Sequence, residues 1–250
     1  MRPPVDTILA PPVPRQLRRL RPPGDTEATP SGPVTAMVVC FWDVCQPSSI
    51  RTLDYLVAWH ERYARAGLSV CAVHAPGSDA GRDEDAVAAA VTTLRLPFEI
   101  LLDTAFDLWR AYENPGWPAR YVLASGMRLV DVHFGEGDYT GAELAIQELL
   151  GERRSLLEPL RAAERPDALI AAPTPDQPGA YHGPYEAGEV WVVGGPGAVV
   201  VNGARQALDR IGAHRVIAHE THTAAVLELV AEPGTEVSAT AFAPGLAPDQ

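Results

Sequence analysis

The sequence predicts an α/β domain, a mixed sheet flanked by helices, followed by a small all-β, jelly-roll-like module. Two observations carry that prediction. Between about Val34 and Gly151, continuous apolar runs alternate with amphipathic stretches and finish in a hairpin and a helix. From Tyr185 onward only short β-rich runs appear, separated by Gly, Asn and Pro. The expected divisions are a Pro-rich irregular leader (1–33), the α/β domain (34–164), a linker (165–184) and the β-module (185–250).

Val34 to Phe41 (VTAMVVCF) is apolar without alternation, as a strand buried on both faces should be. Pro47-Ser48-Ser49 suits a first helical turn, and the helix should run to about Ala66, with Ile50, Leu53, Val57, Trp59 and Tyr63 on or near its apolar face and Gly67 ending it. Leu68 to His74 reads as a second buried strand. A helix over 83–94, a strand over 98–102 and a helix over 104–112 follow. Arg120 to Ala124 and Leu129 to Phe134 flank Ser125-Gly126, a hairpin signal. An amphipathic helix over 140–150 closes the domain, with a further helical stretch toward Glu164 that Pro159 would interrupt. Parallel strands need a crossover and hairpins do not, so the sheet is mixed. In the C-terminal part six short strands are expected, over 190–193, 198–201, 204–208, 215–218, 225–229 and 237–242. Asn202-Gly203 is a tight-turn signal.

Composition bounds the partners. The 250 residues carry a formal net charge of −12, which argues against nucleic acid and anionic membranes, both of which are gripped through clustered Lys and Arg. Arg15, Arg18, Arg19 and Arg21 form one basic cluster, read as a solvated tail. No apolar run approaches the roughly 20 residues of a membrane span, and the N-terminus shows no signal peptide, so a cytoplasmic location is expected. Three cysteines, Cys40, Cys45 and Cys71, are too few for a disulfide framework and fit a reducing compartment.

Phe41-Trp42, the helix start Arg51-Thr52-Leu53-x-Tyr55, Val73-His74-Ala75-Pro76, Leu108-Trp109-Arg110-Ala111-Tyr112, Trp117-Pro118-Ala119-Arg120-Tyr121 and His133-Phe134-Gly135-Glu136-Gly137-Asp138-Tyr139 occur in this order. Together they resemble the TlpA/DipZ-like, redoxin-type group of the thioredoxin-like superfamily. Trp191-Val192-Val193, Val201-Asn202-Gly203 and Ala241-Phe242-Ala243 resemble more loosely the β-module that follows such a domain in DipZ-like proteins. The resemblance implies a thioredoxin-like fold, thiol–disulfide oxidoreductase ancestry, a cis-proline at Pro118, and a groove at Trp42, Trp117 and Pro118 for an extended peptide or a protein thiol partner. It also implies a Cys-x-x-Cys motif at the start of the first helix. Ungapped alignment of both flanks puts Gln46 and Ser49 in those positions, and neither can form a disulfide.

Cys45 lies one position earlier. It reads either as a one-cysteine catalytic site, reacting with peroxide or a small thiol as an oxidoreductase or peroxidase, or as a half-buried remnant. The helix N-terminus favours its thiolate and Asp43 disfavours it. The alternative function is a non-catalytic binding protein using the Pro118 groove and the β-module. Cys40 and Cys71 are read as core residues. His214, His219 and His222 are weak zinc candidates, set against a reading with no metal and no cofactor. Ser49 lacks a nucleophile elbow, Gly194–Gly197 has no helix behind it to make a phosphate loop, and Asp83-Glu84-Asp85 suits a helix start.

Overall fold

The structure is a computed structural model that describes residues 8–21 and 32–247. The chain packs as two interleaved compact units. The first gathers the chain up to Asp43, Arg51–Ala75 and Arg95–Glu158; the second gathers Val44–Ile50, Pro76–Leu94 and the chain from Pro159 onward.

The first unit is built on a six-stranded mixed sheet. Its strands are β1 (Arg18–Leu20), β2 (Ala36–Trp42), β3 (Leu68–His74), β4 (Glu99–Leu102), β5 (Ala119–Ala124) and β6 (Arg128–Phe134), in the order β1-β4-β3-β2-β5-β6. β2, β3 and β4 run parallel; β1, β5 and β6 pair antiparallel. β2 is central, which is why its sequence is apolar at every position. One face packs Val39, Phe41, Val73, Leu101 and Leu123 against Trp109 of the short helix α3 (Asp107–Ala111) and against Tyr112, which caps it. Helices α1 (Pro47–Tyr63) and α4 (Tyr139–Leu150) are joined by a Tyr55–Tyr139 stack with centroids 3.5 Å apart and by a Thr52–Tyr139 hydroxyl hydrogen bond of 3.0 Å. The buried face of α1 runs along its whole length, with Ser49, Thr52, Leu56, Trp59 and Tyr63 fully buried and Leu53 nearly so, whereas Ile50 and Val57 stay half-buried. A 3-10 turn over Ala64–Ala66 follows, and Gly67 ends it at φ +106, where a Cβ would sit 2.9 Å from the Thr35 hydroxyl.

Part of the expected irregular leader is structured. Ala10, Val13 and Leu17 pack on the Phe41 face of the sheet, and the Ala10 N–H bonds the Met127 carbonyl at 2.8 Å. The Tyr112 hydroxyl donates to the Pro11 carbonyl, and β1 then pairs with the β4 edge. The helix expected toward Glu164 is absent apart from a 3-10 turn at Ala162–Glu164.

In the second unit, helix α2 (Glu84–Leu94) starts where the Asp83 carboxylate accepts the N–H groups of Asp85 and Ala86 at 3.0 and 3.1 Å. Asp83→Ala removes that cap and should cost about 1 kcal/mol in urea unfolding; an unchanged midpoint would refute it. The C-terminal sheet holds β8 (Gln177–Pro178), β9 (His182–Gly194), β10 (Gly197–Val201), β11 (Ala204–Leu208), β12 (Gly212–Ala231) and β13 (Val237–Ala243), in the order β11-β10-β12-β9-β13-β8 and antiparallel throughout. A separate pair joins β7 (Ile170–Ala171) and β14 (Gly245–Leu246). The linker expectation is thus corrected, since its residues supply β7, β8 and the start of β9. Two of the expected short strands are one 20-residue strand, β12, interrupted by register shifts at Arg215/Ile217 and Ala218/Thr223. Asn202 and Gly203 both take positive φ, 48° and 81°, the backbone a two-residue primed turn needs.

Candidate functional site

The motif segment leaves β2 at Trp42 and enters α1 at Pro47, whose ring presets the first helical φ. The Gln46 carbonyl accepts the Ile50 N–H at 3.1 Å, so Gln46 closes the first turn and Ser49 sits inside it. This is where a helix N-terminus would favour a thiolate, but the groups present are a carboxamide and a hydroxyl. Ser49 is fully buried and Gln46 half-buried. Cys45 is 5% exposed, more enclosed than the half-buried thiol expected.

Cys40 and Cys71 lie on adjacent strands but face opposite sides of the sheet, because Val39, not Cys40, is in register with Cys71. Both are free thiols, and burial pushes each up to about 12. Beside Cys40, the buried Arg120 packs over the rings of Trp59 and Tyr139 and donates to the Gly137 and Asp138 carbonyls.

In the first unit, Trp42 is fully buried and packs edge-on against His74, with centroids 5.1 Å apart, so it belongs to the core and forms no groove wall. His74 Nε2 lies 3.4 Å from the Asp43 carboxylate, both residues being buried. The Trp117–Pro118 peptide is cis. The Trp117 indole N–H donates to the Ala75 carbonyl at 2.8 Å, and its ring lies 4.3 Å from that of Trp109. The Pro118 carbonyl accepts the Gly135 N–H at 2.7 Å, so it is engaged within the sheet.

Sequence reasoning missed the Arg51–Glu136 pair. Arg51 holds Glu136 through two hydrogen bonds of 2.7 and 2.6 Å, a planar fork that fixes α1 to the turn after β6. His133 Nε2 meets the Glu136 carbonyl at 2.9 Å, while Gly135 and Gly137 supply positive φ. These contacts tie Arg51 to the 133–139 stretch, and an Arg at a helix start with a distant Gly-Glu-Gly was the available signal.

The three zinc candidates take separate partners. His214 meets Arg210, His219 accepts or donates at 2.9 Å with the Tyr185 hydroxyl, and His222 lies 3.8 Å from Glu186. Among the described residues, no group of three or more His, Cys, Asp or Glu is placed to hold a metal ion.

No family model matches the chain. Over 118 residues, 47% of its length, it is 29% identical to Protein DipZ of Mycobacterium tuberculosis and of Mycobacterium bovis. The fold is thioredoxin-like. The match takes in only 17% of DipZ, so the chain corresponds to a small part of that protein. Similar solved structures include a thioredoxin-like protein in the oxidized form (19% identity, 58% of this chain and 95% of that one, TM-score 0.47). A thiol-disulfide isomerase from Corynebacterium glutamicum (16%, 48% and 84%, TM-score 0.43) and StoA from Bacillus subtilis (15%, 46% and 85%, TM-score 0.40) are also similar. The thioredoxin-like chain carries no Cys-x-x-Cys, since its cysteines stand at 40, 45 and 71. Among the described residues, no helix is long and apolar enough to cross a membrane.

Proposed function

We propose that the chain is a thioredoxin-superfamily protein, related to thiol–disulfide oxidoreductases, whose redox positions Gln46 and Ser49 have lost the dithiol and whose remaining thiol chemistry resides at Cys45. The observation that carries this reading is the division among the thiols. Cys40 and Cys71 lie inside strands, where burial pushes their thiols up to about 12, whereas Cys45, as enclosed as Cys71, stands outside the sheet in the turn before a helix N-terminus.

The chemistry it supports needs a peroxide and an external small thiol. The Cys45 thiolate attacks a peroxide oxygen, the O–O bond breaks and the alkoxide or hydroxide leaves with a proton. Sulfur is then a sulfenic acid, which condenses with the external thiol and releases water; a second thiol displaces Cys45 from that mixed disulfide. The matching location is a reducing compartment, the cytoplasm.

The test is peroxide consumption with a small-thiol reductant, combined with mass mapping of the oxidised cysteine. The expected result is sulfenic acid or mixed disulfide at Cys45 alone, with turnover lost in Cys45→Ser. Turnover unchanged in Cys45→Ser, or no modification at Cys45, would overturn the catalytic reading and leave the binding reading, in which Gln46 and Ser49 hold the same turn without chemistry.

A further inference from the structure

The second unit contains both the motif segment Val44–Ile50 and the Arg210–Ala213 stretch, which turns at Arg210 and Ile211 and opens β12 at Gly212. They meet through backbone. The Ala213 N–H donates to the Val44 carbonyl at 2.8 Å. Gly212 makes this approach possible. Its φ is +126°, a conformation that L side chains rarely adopt, and a Cβ there would stand 2.5 Å from the Val44 carbonyl oxygen and 2.8 Å from its Cγ2. The turn is tied internally as well. Arg210, itself 9% exposed, donates from Nη2 to the Ala213 carbonyl at 3.0 Å, and its Nη1 lies 3.0 Å from His214 Nε2. Burial pushes the Arg210 guanidinium down, and the neighbouring Asp209 and Cys45 work against that by favouring its charged form. Val44 is fully buried and Cys45 nearly so.

A thiol that is 5% exposed does not meet a reagent in solution, so chemistry at Cys45 needs the segment to move. We propose that the Arg210–Ala213 turn is a latch on the motif segment, which shields Cys45 when closed and exposes it to solution reagents when the Gly212–Val44 contact is released. The inference rests on Cys45 being the working thiol. The ladder of β12 and β9 anchors Gly212 and Ala213, so opening is a movement of the motif segment away from them that breaks the Ala213–Val44 hydrogen bond and the close glycine contact.

The three cysteines are their own reporters. The full chain is labelled with iodoacetamide under native conditions, and the rate at each cysteine is read by mass spectrometry. Gly212→Ala, which cannot keep the approach to Val44, and Arg210→Gln, which loosens the turn, are compared with the unaltered chain. In at least one of them labelling of Cys45 should rise roughly fivefold to tenfold, the loss of one net backbone hydrogen bond, while Cys40 and Cys71 stay unlabelled. Cys45 labelling at the same rate in all three chains overturns the latch. So does Cys45 labelling that rises only in step with Cys40 and Cys71, since that reports global unfolding. Failure of the catalytic reading looks different: Cys45 becomes alkylatable in the variants yet still takes up no oxygen from peroxide.

Discussion

Glu143→Ala should lower the stability of the thioredoxin-like unit by about 3 kcal/mol, among the largest losses expected of any single side chain here. Glu143 is 1% exposed on α4, and its carboxylate is fully engaged. One oxygen accepts the Tyr63 hydroxyl at 2.5 Å and lies 3.3 Å from Arg62 Nε; the other accepts the Leu157 N–H at 2.8 Å. Gln147 adds a bond of 2.8 Å to the Tyr63 hydroxyl and another to the Arg154 carbonyl. The network therefore joins the end of α1, the middle of α4 and the strand-free segment that follows α4. Alanine leaves the Tyr63 O–H and Leu157 N–H without their acceptor and takes the carboxylate away from the buried Arg62 Nε. Glu143→Gln keeps one acceptor oxygen and should lose roughly half as much. Urea unfolding of both variants checks this, and a loss below about 1 kcal/mol for alanine would show that the network relaxes onto water.

The second large effect is in pH. Burial first, and then the neighbouring Arg210 guanidinium, push the His214 imidazole down to about 4. In the unfolded chain it titrates near 6.5. Between those values the unfolded state holds a proton that the native state lacks, so stability falls as pH drops from about 6.5 toward 4 and levels off below. The slope reaches at most about 1.4 kcal/mol per pH unit, and the whole loss is on the order of 3 kcal/mol. His60, whose imidazole is also pushed down by burial, acts in the same direction. Denaturation midpoints at pH 7, 5 and 4 should converge between the native chain and His214→Gln as the pH falls, because the variant lacks this titration. Parallel curves would assign the acid loss to other groups.

What was legible follows from how each element is buried. β2 and β3 are central and covered on both faces, so their burial is written as unbroken apolar runs. The 202–203 turn was legible because its backbone requires Asn-Gly chemistry. The packed leader was not. Ala10, Val13 and Leu17 are single contacts separated by Pro and polar residues, and they carry no period. β12 read as short strands because its register shifts and its run of His, Glu and Thr break the two-residue alternation.

The site was legible in its residue types and illegible in its surroundings. That Gln46 and Ser49, and no pair of cysteines, stand at the start of α1 is a statement about identity, and no contact is needed to make it. That Trp42 is core, that His214, His219 and His222 take separate partners, and that Glu136 answers Arg51 are statements about distance. These depend on residues tens of positions apart, which local pattern does not encode.

The sequence by itself therefore determined the order of strands and helices from β2 to α4 and the absence of a Cys-x-x-Cys. Periodicity and composition are local properties, and the chain displays them unfolded. Only the tertiary structure decided that Cys45 is enclosed and that Gly212 comes within contact distance of Val44. Burial and close backbone approach are properties of pairs of segments, and they come into being when the chain packs.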